Sequence, residues 1–185
     1  MVESQVPHST ALHATLDGGR HLTGPLARYS LNSAALSPIA RQAAAEAGLG
    51  AECRNPFRSI IVRAVEVVYA IEEALRIIAE YQRPSRPFVD VPARSGIGHG
   101  VSEAPRGLLY HRYEIGDDGL IRAATIVPPT SQNQAAIEHD MAQLVAANLS
   151  LDDATLTSLC ERSIRNYDPC ISCSAHFLTL TVERN

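Results

Sequence analysis

From Asn55-Pro56, an N-cap followed by a first-turn proline, apolar residues recur at positions 57, 60, 61, 64, 65, 68, 71, 75 and 78. This spacing predicts one continuous amphipathic helix reaching the region of Pro84. At 1.5 Å per residue such a helix is about 37 Å long. Its charges (Arg58, Arg63, Glu66, Glu72, Glu73 and Arg76) leave a wide apolar face, because Val62, Val67 and Tyr69 fall outside the main stripe. A helix wetted on so little of its circumference expects neighbours on several sides. Whatever else the chain forms must therefore be arranged around it.

The first 35 residues are rich in His, Ser, Thr and Gly without a clean period and read as a segment that lies on something else. Ser37-Pro38 and the alanine-rich run to Gly48 predict a short helix closed by glycine. After the long helix, Gln82–Pro92 is a proline-containing connector, and Arg94–Gly100, with Gly96, Gly98 and Gly100, reads as a loop. Leu108–Ile115 and Leu120–Val127 flank Gly116-Asp117-Asp118-Gly119, a hairpin signature. A polar loop at Pro128–Asn133 leads to a helix over about 134–147, and Ser150 with Asp153 opens another reaching Arg165. The outline is mainly α with a small antiparallel β element, an α+β arrangement without internal repeats.

A chain of 185 residues, 45% hydrophobic and with net charge −4, suits one soluble globular domain spanning 1–185. Its basic residues are scattered, so nucleic acid and an anionic membrane surface are excluded as partners. No apolar run of about 18 residues is present, and the opening MVESQVPHST lacks a secretory signal, which predicts the cytoplasm and no membrane insertion.

The chemistry concentrates near the end of the chain. Asp168-Pro169-Cys170-Ile171-Ser172-Cys173-Ser174-Ala175-His176 places two thiols and an imidazole close together, a soft-donor cluster suited to a soft cation. A closed zinc site would want four ligands, and Cys53 and Cys160 do not form a second C-x-x-C. A thioredoxin-type redox pair would follow a strand in a βαβ unit, which is missing here. Buried cysteines beside an incidental histidine remain the plain alternative. His8, His13, His21, His99 and His111 carry no comparable pattern, and Cys53 and Cys160 read as buried apolar thiols.

The Asp-Pro-Cys-x-x-Cys-x-x-His run resembles the C-terminal signature of nickel-iron hydrogenase large subunits. In the same order as in that family come Glu103-Ala104-Pro105-Arg106-Gly107-Leu108-Leu109-Tyr110-His111, similar to its E-A-x-R-G-x-x-x-H stretch, and Val127-Pro128-Pro129-Thr130-Ser131-Gln132-Asn133, similar to its V-P-x-T segment. The Pro-Pro-Thr-Ser-Gln-Asn wording and Asn166-Tyr167 look most like the cytoplasmic, NAD(P)-linked branch.

The resemblance implies the C-terminal part of the large-subunit fold and a nickel-iron centre whose iron carries CO and cyanide. Cys170 would be a terminal nickel thiolate and Cys173 a thiolate bridging nickel and iron. His176 and the backbone carbonyl of Ile126 would bind magnesium. Arg106, with Pro105 and Asp168, would form a canopy over the open coordination position, and Thr130, beside Pro129, would hydrogen-bond a cyanide. H2 would be the substrate, an iron-sulfur small subunit and diaphorase-type subunits the electron-transfer partners, and a maturation protease would act on residues 177–185 as a cleavable extension.

This chain departs from the family pattern in lacking the R-x-C-G-x-C pair, the magnesium-binding acid and the proton-exit glutamate of the N-terminal half. Two thiolates do not complete a four-cysteine site, so the chain alone is expected to be inactive, an interrupted frame or one half of a split subunit, with exposed apolar surface. A complex I large-subunit-like electron-transfer relative and a zinc-binding interaction module are the competing readings. Relatives of the first kind have generally lost the cysteine pairs, and the second leaves Arg106 and Thr130 unexplained.

Overall fold

The computed structural model describes residues 1–170 and 178–183. Five helices and two small antiparallel sheets make up the described residues, the mainly helical α+β arrangement that the sequence predicts. The opening segment is more ordered than its composition suggests. Strand β1 (Val2–Ser4) pairs with β2 (His13–Thr15), and α1 (Pro25–Asn32) follows. No hydropathy period betrays these elements because each is short, and most of β1 and the end of α1 face solvent.

Helix α2 (Pro38–Glu46) starts where expected, with the Ser37 hydroxyl accepting from the Ala40 N–H. It ends in a glycine motif. Gly48 adopts φ +66°, its N–H bonds the Ala45 carbonyl, and the Leu49 N–H reaches back to the Ala44 carbonyl at 2.9 Å. That geometry satisfies the last carbonyls of α2 and turns Leu49 inward. Leu49 joins Leu26, Tyr29, Ala40, Ala44, Cys53, Val62 and Val65 in a buried cluster between α1, α2 and the long helix. Tyr29, buried in that cluster, donates its hydroxyl to the Gly50 carbonyl at 2.7 Å.

The long helix is shorter than its hydrophobic pattern predicts. Asn55 caps a single 3₁₀ turn, Pro56–Arg58, and α3 runs Ser59–Ala79, about 31 Å. The helix stops before the prolines because the residue preceding a proline is pushed out of helical geometry. Among the described residues, the first half of α3 is covered and the second is not: Ser59, Val62 and Val65 are buried, whereas Ile71, Leu75 and Ile78 are exposed.

The expected hairpin is present as β4 (Gly107–Ile115) and β5 (Ile121–Val127), with an irregularity at Glu114/Ile115. A third strand, β3 (Gly96–Ala104), joins it in the order β3-β4-β5, and this corrects the loop expected over Arg94–Gly100. Alternating glycines look like a loop, yet an antiparallel ladder with β4 satisfies their backbone groups, and pairing outweighs their poor strand propensity.

A second correction concerns Pro128–Asn133. Helix α4 (Pro129–Ala147) begins at Pro129 rather than near residue 134. The polar side chains that suggest a loop are buried inside its first turns and bonded to neighbouring backbone. Fully buried Gln132 donates to the Leu108 carbonyl at 2.6 Å, and Asn133 accepts from the Thr23 N–H at 2.7 Å while donating to the Thr23 carbonyl at 3.2 Å. Helix α5 (Asp153–Tyr167) is capped by Asp152, not Ser150, through a 3.0 Å bond from the Thr155 N–H. Its far end rests on the start of α3, where Ser59 Oγ and Arg63 donate to the Asn166 carbonyl at 2.6 and 3.2 Å. No described helix is long and apolar enough to cross a membrane.

Candidate metal centre

Three chain reversals converge on one place. The first is the two-residue turn Pro105-Arg106 between β3 and β4, where Ala104 faces Gly107 in register. The second is the start of α4 at Pro129-Thr130, and the third is the end of α5, where Asp168 takes a left-handed conformation, φ +47°. A left-handed C-cap at a non-glycine residue costs conformational energy, and Asp is among the few side chains that tolerate it. It turns the chain sharply so that Pro169 and Cys170 run past the Arg106 turn instead of continuing α5.

The turn carrying Arg106 is pinned from behind. Gly24 and Gly107, both at positive φ, let the start of α1 and the turn pass with no room for side chains. A Cβ on Gly24 would sit 2.6 Å from the Arg106 carbonyl oxygen, and one on Gly107 2.1 Å from Thr23 Oγ1. Arg28, on the first turn of α1, then clamps the turn. Its guanidinium makes a paired contact with Glu66 on α3 at 2.8 and 2.9 Å, donates to Glu103 at 2.6 Å, and donates to the Ala104 and Pro105 carbonyls at 2.8 Å each. Burial would lower the Arg28 pKa, but Glu66 and Glu103 outweigh it and hold it above its ordinary value. Arg28 carries no motif, since the contacts that define it come from positions 38 and 75–77 residues away. Sequence reasoning misses it for that reason.

Held this way, Arg106 faces Asp168. Its Nε donates to the Asp168 carbonyl at 2.9 Å and lies 3.1 Å from Oδ2. The pair is partly open to solvent, with side-chain exposures of 44% and 30%. Such a pair contributes little stability, about 0–1 kcal/mol, and what it supplies is orientation of a permanent cation. Arg106, Pro129, Thr130, Asn133, Tyr167 and Asp168 line a shallow pocket at this point. Its floor is held by the Tyr167 hydroxyl, which donates to Asp140. Burial first, and then Asp140, raise the Tyr167 pKa far above the phenol range, so it is a fixed donor at any working pH.

The backbone N–H of Cys170 points to Thr130 Oγ1 at 3.5 Å, and the Cys170 side chain is exposed. The structure thus brings Arg106, Thr130, Pro129, Asp168 and Cys170 together. Pro105 belongs to the same turn, although its carbonyl is taken by Arg28. Ile126 sits on β5 opposite His111 and does not line the pocket. Cys173 and His176 lie outside the described residues. Cys53 and Cys160 are buried elsewhere, and burial raises the Cys160 thiol pKa. Among the described residues Cys170 is therefore the exposed thiol.

Comparison with known proteins identifies the family to which the chain is similar. The family model for nickel-dependent hydrogenase matches residues 22–176. The sulfhydrogenase 1 subunit alpha of Pyrococcus furiosus is 32% identical over 96% of this chain and 42% of its own length. The NAD-reducing hydrogenase HoxS subunit beta of Cupriavidus necator is 28% identical over 84% of this chain and 34% of its own. Among solved structures, an NAD+-reducing [NiFe]-hydrogenase in the H2-reduced state superposes with a TM-score of 0.73 and 28% identity, covering 95% of this chain and 41% of that one. The chain spans about a third to two fifths of the length of these relatives. With the family model covering most of the chain and the fold shared, the chain belongs to the nickel-dependent hydrogenase family.

Proposed function

We propose that this chain is the C-terminal portion of a catalytic large subunit that binds nickel and iron and acts on H2. The observation that carries the reading is the Arg106–Asp168 pair, pinned by Arg28 and set beside the exposed thiol of Cys170. A solvent-open thiol two residues beyond the Asp168 that holds Arg106, with Thr130 Oγ1 at the Cys170 N–H, suits a soft metal carrying anionic ligands. The residues fit the group in part, since among the described residues Cys170 is the one available thiolate, and the remaining donors must come from Cys173 and from further sequence of the kind the longer relatives contain.

In this reading Cys170 and Cys173 hold a nickel-iron centre with CO and cyanide on iron, His176 and the Ile126 carbonyl hold magnesium, and Thr130 with Pro129 contacts a cyanide. When bound, the group would supply heterolytic cleavage of H2. The chain's own residues prepare the place for it. Arg106 keeps a permanent positive charge over the opening, Asp168 fixes its direction, and Pro105 supplies a rigid turn whose carbonyl Arg28 grips. The Thr130 hydroxyl stands at the N-terminal end of α4, where backbone N–H groups favour anionic partners. An iron-sulfur small subunit and diaphorase-type subunits would receive electrons bound for NAD(P), a maturation protease would remove residues 177–185, and the complex would work in the cytoplasm.

The test places this segment in a complete large subunit matured with its small subunit. Metal content and H2-dependent dye reduction are then measured. Cys170→Ser should lose nickel, while Arg106→Lys should keep the metals and lose about 100-fold in rate, the scale of removing one preorganised electrostatic donor. Zinc without nickel would instead identify a zinc-binding module. Absence of both nickel and H2 activity would identify a non-catalytic electron-transfer relative.

A further inference from the structure

None of the six histidines outside the cysteine motif is marked as a ligand by the sequence, yet the fold gathers two of them. The loop after β1 carries His8, β2 carries His13, and both reach the carboxylate of Glu138 on α4, 130 and 125 residues away. His8 Nε2 lies 3.1 Å from Glu138 Oε2, and His13 Nε2 lies 3.1 Å from Oε1. One donor atom from each of the three groups falls within 4.8 Å of the other two. The imidazoles meet edge to face, centroids 6.2 Å apart, so both rings turn a nitrogen toward the shared carboxylate.

We propose that His8, His13 and Glu138 form a binding site for a zinc-class divalent cation. Two imidazole nitrogens and a carboxylate are the donor set that a borderline metal prefers, with water in the remaining position. The spacing supports it. Ligand atoms bound at about 2.0–2.1 Å in tetrahedral array lie about 3.4 Å apart; each imidazole nitrogen is 3.1 Å from its own carboxylate oxygen and the three donor atoms lie within 4.8 Å of one another, so a small closure brings them onto one ion. His13 is buried and anchored in β2, while His8 lies on an exposed loop and supplies whatever closure is needed. Behind the carboxylate, Gln134 Nε2 donates to Glu138 Oε1 at 3.1 Å, the kind of outer contact that orients a metal-binding carboxylate. Without a cation, the two imidazoles share one carboxylate. A dication between the three groups would be bound by all of them. Bound there, it staples the β1-β2 pair to α4, about 12 Å along that helix from Thr130.

The site is tested by cobalt titration of the 185-residue chain carrying Cys170→Ser and Cys173→Ser, which removes thiolate binding. The expected result is one bound Co(II) with weak visible bands and no thiolate charge-transfer absorption, displaced by Zn(II). Adding His8→Ala or Glu138→Gln should weaken binding about 10-fold or more. His8 is exposed, so its substitution leaves the fold intact, and circular dichroism checks both variants. If the doubly substituted chain binds no cobalt, or if neither added substitution changes the affinity, the three side chains are a hydrogen-bonded clasp and the metal site is excluded.

Discussion

The first and second halves of α3 share a residue vocabulary and meet different surroundings. Val62 and Val65 are sealed against Leu26, Tyr29, Ala40, Ala44 and Leu49. One and a half turns further on, Ile71, Leu75 and Ile78, spaced to share one face, stand exposed at 57%, 63% and 70%. Burying a side chain of this size is worth about 1.5–3 kcal/mol, so a face of this kind is written for a cover that these residues do not supply. The relatives, more than twice as long, contain far more chain than this segment. A hydropathy pattern therefore states what a helix face needs, while its environment decides whether the need is met.

The contrast is broken most directly by truncation on each side of it. Val62→Ala, at a fully buried position in the first half of α3, should cost about 1–3 kcal/mol in urea unfolding, whereas Leu75→Ala should change stability by no more than about 0.5 kcal/mol. Equal costs would mean that the second half of α3 is covered in solution. Binding of an apolar-surface dye sharpens the point, since Ile71→Ser with Leu75→Ser and Ile78→Ser should remove most of it.

A comparable effect separates a pinned polar cluster from an exposed one. Arg28→Met leaves Glu66 and Glu103 without their cation, and because Arg28 and Glu66 are each only about a fifth exposed the expected loss is about 2–3 kcal/mol. Proteolysis after Arg106 should rise in the same variant. A cost near that of an exposed pair such as Arg76–Glu73, within about 1 kcal/mol, would show that the turn is held by Gly24 and Gly107 alone.

The smallest effect concerns the β1-β2 pair. Burial acts to raise the Glu138 pKa, but hydrogen bonds from Gln134 and His8 and the charges of His13 and His8 outweigh it, so the folded carboxyl lies below its ordinary value. A depressed carboxyl stabilises the fold above its unfolded pKa, about 4.3, and that contribution disappears as pH falls through the lower folded value. Protection factors of the β1 and β2 amides, measured without added metal and referred to the intrinsic exchange rate at each pH, should therefore fall between about pH 5 and about pH 3. Glu138→Gln should flatten this response. An unchanged acid response in that variant would place the sensitivity elsewhere.

Local signals carried far in this chain. Ser37-Pro38 and Gly48 mark α2, Asn55-Pro56 marks the approach to α3, and Gly116–Gly119 marks the β4-β5 turn because each depends on backbone conformations that few residues supply. The ordered motifs around Arg106, Thr130 and Cys170 were legible for a similar reason, being short runs whose residue types are chemically demanding. Strand β3 and the first turns of α4 were not. Their glycines and amides look like loop until distant backbone groups, the β4 ladder and Thr23, pair with them.

By itself the sequence determined the mainly helical α+β class, the family resemblance and the soft-donor run at Asp168–His176. Tertiary structure alone decided that Arg28 would grip the Arg106 turn, that Asp168 would turn its αL backbone and carboxylate toward that arginine, and that His8 and His13 would meet on Glu138. The physical reason is the range of the forces. Propensity, capping and turn chemistry act over a few residues and can be read from spacing, whereas a buried guanidinium or a shared carboxylate takes its meaning from partners up to 130 positions away.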